Sequence, residues 1–85
     1  MKVHVLEVYT LYQEENGVYA KRMTKYKICG SKQIARRWAL TWVADYRKRM
    51  GGCPAVVDHD TVLHLGTQRY GFRFEIQEQI VDQSN

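Results

Sequence analysis

Residues 31–50, SKQIARRWALTWVADYRKRM, decide the fold because they carry the clearest helical pattern in the chain. At 100° per residue their apolar side chains fall on one arc, as in a helix that packs one face on a core. Ser31 is a favourable N-cap, and Gly51-Gly52 followed by Pro54 ends the pattern. The sequence therefore predicts one helix, from Ser31 to Met50, with an apolar arc of Ala35, Trp38, Ala39, Trp42, Val43, Tyr46 and Met50.

The opposite arc of this helix is predicted to be basic and to face water. Leu40 and Ala44 lie in its middle, so the arc combines an apolar centre with surrounding cations. Three basic residues also occupy the last turn, where they complement the negative end of the helix dipole. The cations on the arc are Arg36, Arg37, Arg47 and Lys48.

Charge is unevenly distributed along the chain. Residues 21–50 hold ten Lys or Arg and one acid, Asp45, which gives a formal charge of +9. The other positions sum to −5, and the whole chain carries +4. Such polarity creates a field that attracts an anionic partner, although a basic face can also be merely solvated.

The residues before the helix favour a β-hairpin. Val3–Tyr12 and Val18–Cys29 are rich in β-branched and aromatic residues, and QEENG at 13–17 ends in the Asn-Gly turn signal. Alternation along the second strand separates a wet, basic side from an apolar one. The basic side is predicted to hold Lys21, Lys25 and Lys27, and the apolar side Val18, Ala20, Tyr26 and Ile28.

Shorter strand patterns follow the helix. Residues 55–57 and 61–65 favour two short strands or one bent strand, and 70–76 alternate as a half-buried strand does. The predicted fold class is α+β, a single antiparallel sheet of four or five strands in the order ββαββ, with one helix on one face. The 85 residues are expected to form one domain, 1–85, whose tail, 78–85, frays.

One segment resembles a known family. Arg69-Tyr70-Gly71-Phe72-Arg73-Phe74 is similar to the aromatic motif with which RRM domains stack on RNA. The segment departs from that motif at Arg73, where the motif has Gly or Ala, and the RRM layout needs two helices. We therefore interpret these alternating aromatic residues as the core face of a strand.

The residues that carry catalytic or metal chemistry form no recognised pattern. Cys29 and Cys53 flank opposite ends of a helix about 30 Å long, which disfavours a disulfide between them. Asp58-His59-Asp60 and His64 lack the spacing of a metal site, and no nucleophile and base signature accompanies His4. We therefore expect a protein that is not an enzyme and that uses no cofactor and no metal.

These observations favour a small non-enzymatic binding protein that docks a basic helix face on an acidic protein surface. An apolar centre ringed by arginine is typical of protein interfaces. Small single domains of this type often act as inhibitors or regulators by occluding a partner, as many phage-encoded proteins do. The predicted partner-binding residues are Arg36, Arg37, Leu40, Arg47 and Lys48 on the helix, extended by Lys21, Lys25 and Lys27 on the hairpin.

Two other partners are alternatives at this point. The same basic face suits non-specific nucleic-acid binding, and an exposed edge strand suits homodimerisation. No apolar stretch approaches 18 residues, and no apolar leader follows Met1-Lys2. We therefore expect no membrane partner and a cytoplasmic location, in the host cytoplasm if the protein is viral.

Overall fold

The computed structural model describes residues 1–51, 55–66 and 70–81, which form one antiparallel sheet and one helix. The predicted α+β class is confirmed. The elements in chain order are β1 (Lys2–Gln13), β2 (Tyr19–Cys29), α1 (Lys32–Arg49), β3 (Val56–Asp58), β4 (Val62–Gly66) and β5 (Gly71–Ile80). Across the sheet the strands lie in the order β2-β1-β5-β4-β3, with β2 and β3 at the edges.

The chain order is ββαβββ, so the predicted ββαββ order lacks one strand and the larger count of five strands applies. A tight turn after Asp58 divides residues 56–66 into β3 and β4 instead of one bent strand. The N–H of Asp60 donates to Asp58 Oδ1 at 2.9 Å, and Asp60 has a φ of 66°. Aspartate tolerates this left-handed conformation better than most residues other than glycine, and here the Asp58 carboxylate supplies the local hydrogen bond.

The first two strands form the predicted hairpin. Its turn is closed by the Glu14 N–H, which donates to Val18 O at 2.8 Å, and by the Gly17 N–H, which donates to Glu14 O at 2.9 Å. Gly17 has a φ of 85°, a conformation that glycine adopts without steric cost. The Asn16 side chain accepts from the Val18 N–H, so the Asn-Gly signal acts through both of its residues.

A β-bulge in this hairpin reverses the sides of β2. Val8 pairs with Lys25 but Tyr9 pairs with Met23, which leaves Thr24 as the extra residue. Side chains alternate along a strand, so one extra residue moves all later side chains to the other face. Lys25 and Lys27 therefore lie on the helix side of the sheet, whereas Lys21 lies on the opposite side. The prediction that all three lysines share one side is wrong.

The helix packs through small residues against the middle of the sheet. The Ile34 N–H donates to Ser31 Oγ at 3.2 Å, which confirms Ser31 as the N-cap. Ala35 and Ala39 are fully buried, and their small side chains let the helix approach the strands closely. The core that they complete also contains Leu6, Val8, Cys29, Val43, Leu63, Leu65, Phe74 and Ile76.

The C-terminal strand is longer than the sequence suggested. Strand β5 continues to Ile80, which pairs with Lys2, and the Val81 N–H donates to Met1 O at 2.7 Å. Residues 78–80 are thus held by the neighbouring strand β1 instead of fraying, because the length of β1 supplies backbone partners for them. Residues 82–85, the rest of the predicted frayed tail, lie outside the described residues.

Candidate functional site

The outward side of the helix presents a basic surface with an apolar centre. We call it the outer helix surface. The side chain of Leu40 is 46% exposed, and Ala44 beside it is also exposed. Within the described part of the chain neither Arg37 nor Lys48 forms an ion pair. The surface consists of Arg37, Leu40, Ala44, Arg47 and Lys48, all of them exposed.

Arg36 was expected among the partner-binding residues, but the protein's own acids neutralise it. Its Nη1 and Nη2 donate to the two Asp58 oxygens at 3.0 and 2.7 Å, a bidentate pair. Nη1 also donates to the backbone carbonyl of Asp60. Lys32, one turn earlier on the helix, forms an ion pair with the Asp60 carboxylate. We call these four residues the helix–turn clamp, since they fasten α1 to the turn between β3 and β4.

The clamp explains the large pKa shift of Asp58. The hydrogen bonds from Arg36 lower the pKa of Asp58 from its ordinary value of 3.8 to about 2, aided by the bond from the Asp60 N–H. The same pairing raises the pKa of the Arg36 guanidinium. Both effects favour the charged forms, because each group stabilises the charge of the other. The Arg36 guanidinium therefore serves in an intramolecular ion pair that joins α1 to the β3–β4 turn.

Lys25 and Lys27 lie against the two tryptophans along one flank of the helix. The Lys25 ammonium is 3.9 Å from the centre of the Trp42 ring, and the Lys27 ammonium is 4.1 Å from that of Trp38. These are cation–π distances. Trp42 packs on the core, but Trp38 remains 38% exposed, so the tryptophans do not both fill the space between helix and sheet. The three buried side chains of the helix, Ala35, Ala39 and Val43, occupy that space instead.

Lys21 lies apart from the other predicted residues. Its ammonium is 2.8 Å from Glu75 Oε2 and 4.3 Å from the centre of the Tyr9 ring, both on the side of the sheet away from the helix. The eight predicted partner-binding residues therefore separate into four places. Four of them form the outer helix surface, Arg36 belongs to the clamp, Lys25 and Lys27 line the tryptophan flank, and Lys21 faces the other way.

The side of the sheet without a helix carries apolar side chains that the sequence interpretation did not assign to a surface. We call it the open sheet face. Tyr26 and Ile28 on it are 63% and 62% exposed, and Met23, Tyr19 and Val57 are exposed as well. The sequence feature that indicates this apolar face lies in β1, where apolar residues occupy both alternating sets of positions. Val3, Val5 and Leu11 point to one face, and Leu6 and Val8 to the other.

The candidate metal-ligating and thiol side chains among the described residues have structural roles. Those residues contain no group of three His, Cys, Asp or Glu side chains placed to hold a metal ion. Asp58 and Asp60 direct their carboxylates to the clamp. Cys29 is buried and reduced, and burial raises the pKa of its thiol. Cys53, and with it the predicted lack of a disulfide, lies outside the described residues.

Comparison with family models, curated proteins and solved structures gave no match to this chain. The arrangement of its own side chains is therefore the basis for proposing a function. In the part of the chain that the structure describes, no helix has the length and apolar character to cross a membrane.

Proposed function

We propose that the protein is a small, non-enzymatic binding protein that docks its outer helix surface on an acidic protein surface. By covering that surface it would act as an inhibitor or regulator, in the cytoplasm of the cell where it is made or, for a viral protein, of the host. The observation that carries this proposal is the contrast within one helix. Arg36 is held by Asp58, whereas Arg37 and Lys48 have no acidic partner among the described residues.

The scaffold of this surface supports a binding role. Its side chains project from an 18-residue helix whose opposite face is anchored in the core, so few backbone degrees of freedom are lost on binding. Arginine is enriched at protein interfaces and forms bidentate bonds with carboxylates. The formal +9 of residues 21–50 adds a long-range attraction that speeds the encounter with an acidic partner.

The apolar centre favours a protein partner over nucleic acid. Leu40 and Ala44 are suited to a dry contact, whereas a phosphate backbone rewards an uninterrupted line of cations. Lys21, which would have extended that line along the hairpin, lies on the other side of the sheet and pairs with Glu75. Thr41, one of the few side chains suited to reading bases, donates its hydroxyl to Arg37 O within the helix.

The test begins with capture of partners on the tagged protein from a lysate of its source cell, with and without nuclease. A captured protein is then purified, and its affinity is measured for the wild type and for the Arg37→Glu/Lys48→Glu variant. We expect nuclease-resistant capture and a loss of affinity of at least about tenfold in the variant. Arg36 is unsuitable for this test because changing it disturbs the clamp.

A matched control changes charge elsewhere by the same amount. Lys2→Glu/Arg22→Glu alters two exposed cations away from the outer helix surface and should change the affinity by less than about twofold. Equal losses in the two variants would show that net charge, and not this surface, controls binding. Capture that disappears with nuclease would replace the proposal by the nucleic-acid alternative.

A further inference from the structure

The open sheet face has the pattern of a covered surface although the described chain leaves it bare. An antiparallel sheet with one wet face usually alternates apolar and polar residues. Here Val3 and Val5 of β1 point away from the helix, beside the exposed Tyr26 and Ile28 of β2. Val5 and Ile28 are direct register partners, whereas Leu11 lies beyond Glu7 and Tyr9 on the same face and pairs with Lys21. An exposed apolar patch that charged residues border, as Glu7 borders this one, marks an interaction surface.

We infer that a second copy of this chain covers the open sheet face, in a symmetric dimer joined sheet to sheet. Two antiparallel sheets commonly pack face to face about 10 Å apart with their strands roughly aligned. In this arrangement the two outer helix surfaces point outward on opposite sides. The dimer does not depend on the proposed function, and it would give a partner two equivalent docking surfaces.

Charge favours a second copy as the occupant. The open sheet face carries Glu7 and Glu75 together with Lys21 and Arg73, so its cations and carboxylates balance. Glu75 Oε2 accepts from Lys21 at 2.8 Å and from Arg73 at 3.1 Å. Two such faces meet without net repulsion. The outer helix surface is cationic, and the same surface on a second copy would repel it.

The size of the face fits a stable dimer. Strands β2, β1 and β5 have 11, 12 and 10 residues and lie side by side. With the shorter β4 and β3 they present a face of about 700 Å², from the usual rise per residue and strand spacing. Standard interfaces bury about 800 Å² on each partner, so this face comes close to that size.

The edges of the sheet are less suited to pairing with a second copy, which was the dimer suggested by the sequence. The long edge strand β2 holds Lys21, Arg22, Lys25 and Lys27, so two such strands in an antiparallel pair would bring like charges together. The other edge strand, β3, has only three residues. Lysines and a bulge are features by which natural edge strands avoid such pairing.

The experiment is sedimentation velocity from micromolar to millimolar concentrations, using the same substitution at two isoleucines. We expect the wild type to pass from 10.0 kDa to twice that mass as concentration rises. Ile28→Glu should place a carboxylate in the interface and raise the dissociation constant at least about tenfold. Circular dichroism confirms that the variant is folded, and Tyr26→Ser provides a second, uncharged disruption of the same face.

Ile34→Glu is the control, because Ile34 is exposed on the helix and a glutamate three residues after Ser31 completes a capping box. It should dimerise as the wild type does, and so should Arg37→Glu/Lys48→Glu. A wild type that stays monomeric throughout overturns the inference, as does a dimer that Ile28→Glu leaves unchanged. A dimer strengthened strongly by salt would indicate pairing of the cationic β2 edges instead.

Discussion

Two regions of the molecule use similar residues for different purposes. One is the buried contact between helix and sheet, and the other consists of the surfaces that neither element covers. Phe74 and Ala39 have no exposure, and Arg36 on the same helix as Ala39 is held by Asp58. Tyr26 and Arg37, of comparable chemistry, face water. The first region holds the fold together, and the second leaves apolar area and charge for partners.

The clearest case is a pair of consecutive arginines. Arg36 and Arg37 are separated by about 100° around the helix axis, which directs Arg36 to the β3–β4 turn and Arg37 to water. The turn lies 22 residues further along the chain, beyond the reach of any local pattern. A count of basic residues therefore overstates the charge that a partner can use.

We expect the largest difference in unfolding free energy when one aromatic residue from each region is changed to alanine. Phe74→Ala removes a fully buried ring and should cost about 3–5 kcal/mol of unfolding free energy, much of the stability of so small a domain. Tyr26→Ala should change that free energy by less than about 0.5 kcal/mol in the monomer. Urea unfolding at low protein concentration measures both. Equal losses would break the comparison.

A second pair compares alanines on opposite sides of the helix. Ala39→Leu forces a larger side chain against the sheet and should destabilise the fold by about 1–3 kcal/mol. Ala44→Leu lies on the outer helix surface and should change stability by less than about 0.5 kcal/mol. The same unfolding experiment measures both variants. Loss of stability in Ala44→Leu alone would mean that the helix packs through the other face.

A smaller effect separates the two arginines. Arg36→Gln breaks the bidentate pair with Asp58 and should lower the thermal midpoint, whereas Arg37→Gln should leave it unchanged within error. The effect is smaller than those of the core variants because the pair lies at the surface, where water screens it. Differential scanning calorimetry measures the thermal midpoints of both variants and shows which one is lower. A larger shift for Arg37→Gln would contradict the assignment of the clamp.

Acid should weaken the clamp in a defined window. Because folding lowers the pKa of Asp58 from 3.8 to about 2, its contribution is present above pH 4 and is lost as the pH falls towards 2. The thermal midpoint of the wild type should therefore fall further than that of Asp58→Asn over this interval. Parallel curves for the two proteins would show that Asp58 is not held by Arg36 in the folded state.

The features that the sequence predicted correctly are those that local rules control. The helix from its Ser31 cap, the Asn16-Gly17 hairpin and the α+β class depend on neighbours a few residues apart. The bulge at Thr24 was not predictable from the sequence of β2 alone, because the pairing of β2 with β1 defines it. It places Lys21 on the opposite side of the sheet from Lys25 and Lys27. The pairing of Arg36 with Asp58 likewise depends on a contact between residues far apart in the chain, so local sequence patterns did not reveal it.

The most direct test of the central proposal is the association rate constant with the purified partner, measured by stopped flow over a range of ionic strength. For the wild type we expect the rate constant to fall at least about tenfold from low to high salt, because the outer helix surface steers the encounter. Arg37→Glu/Lys48→Glu should associate slowly with little dependence on salt. The same salt dependence in wild type and variant would contradict the account.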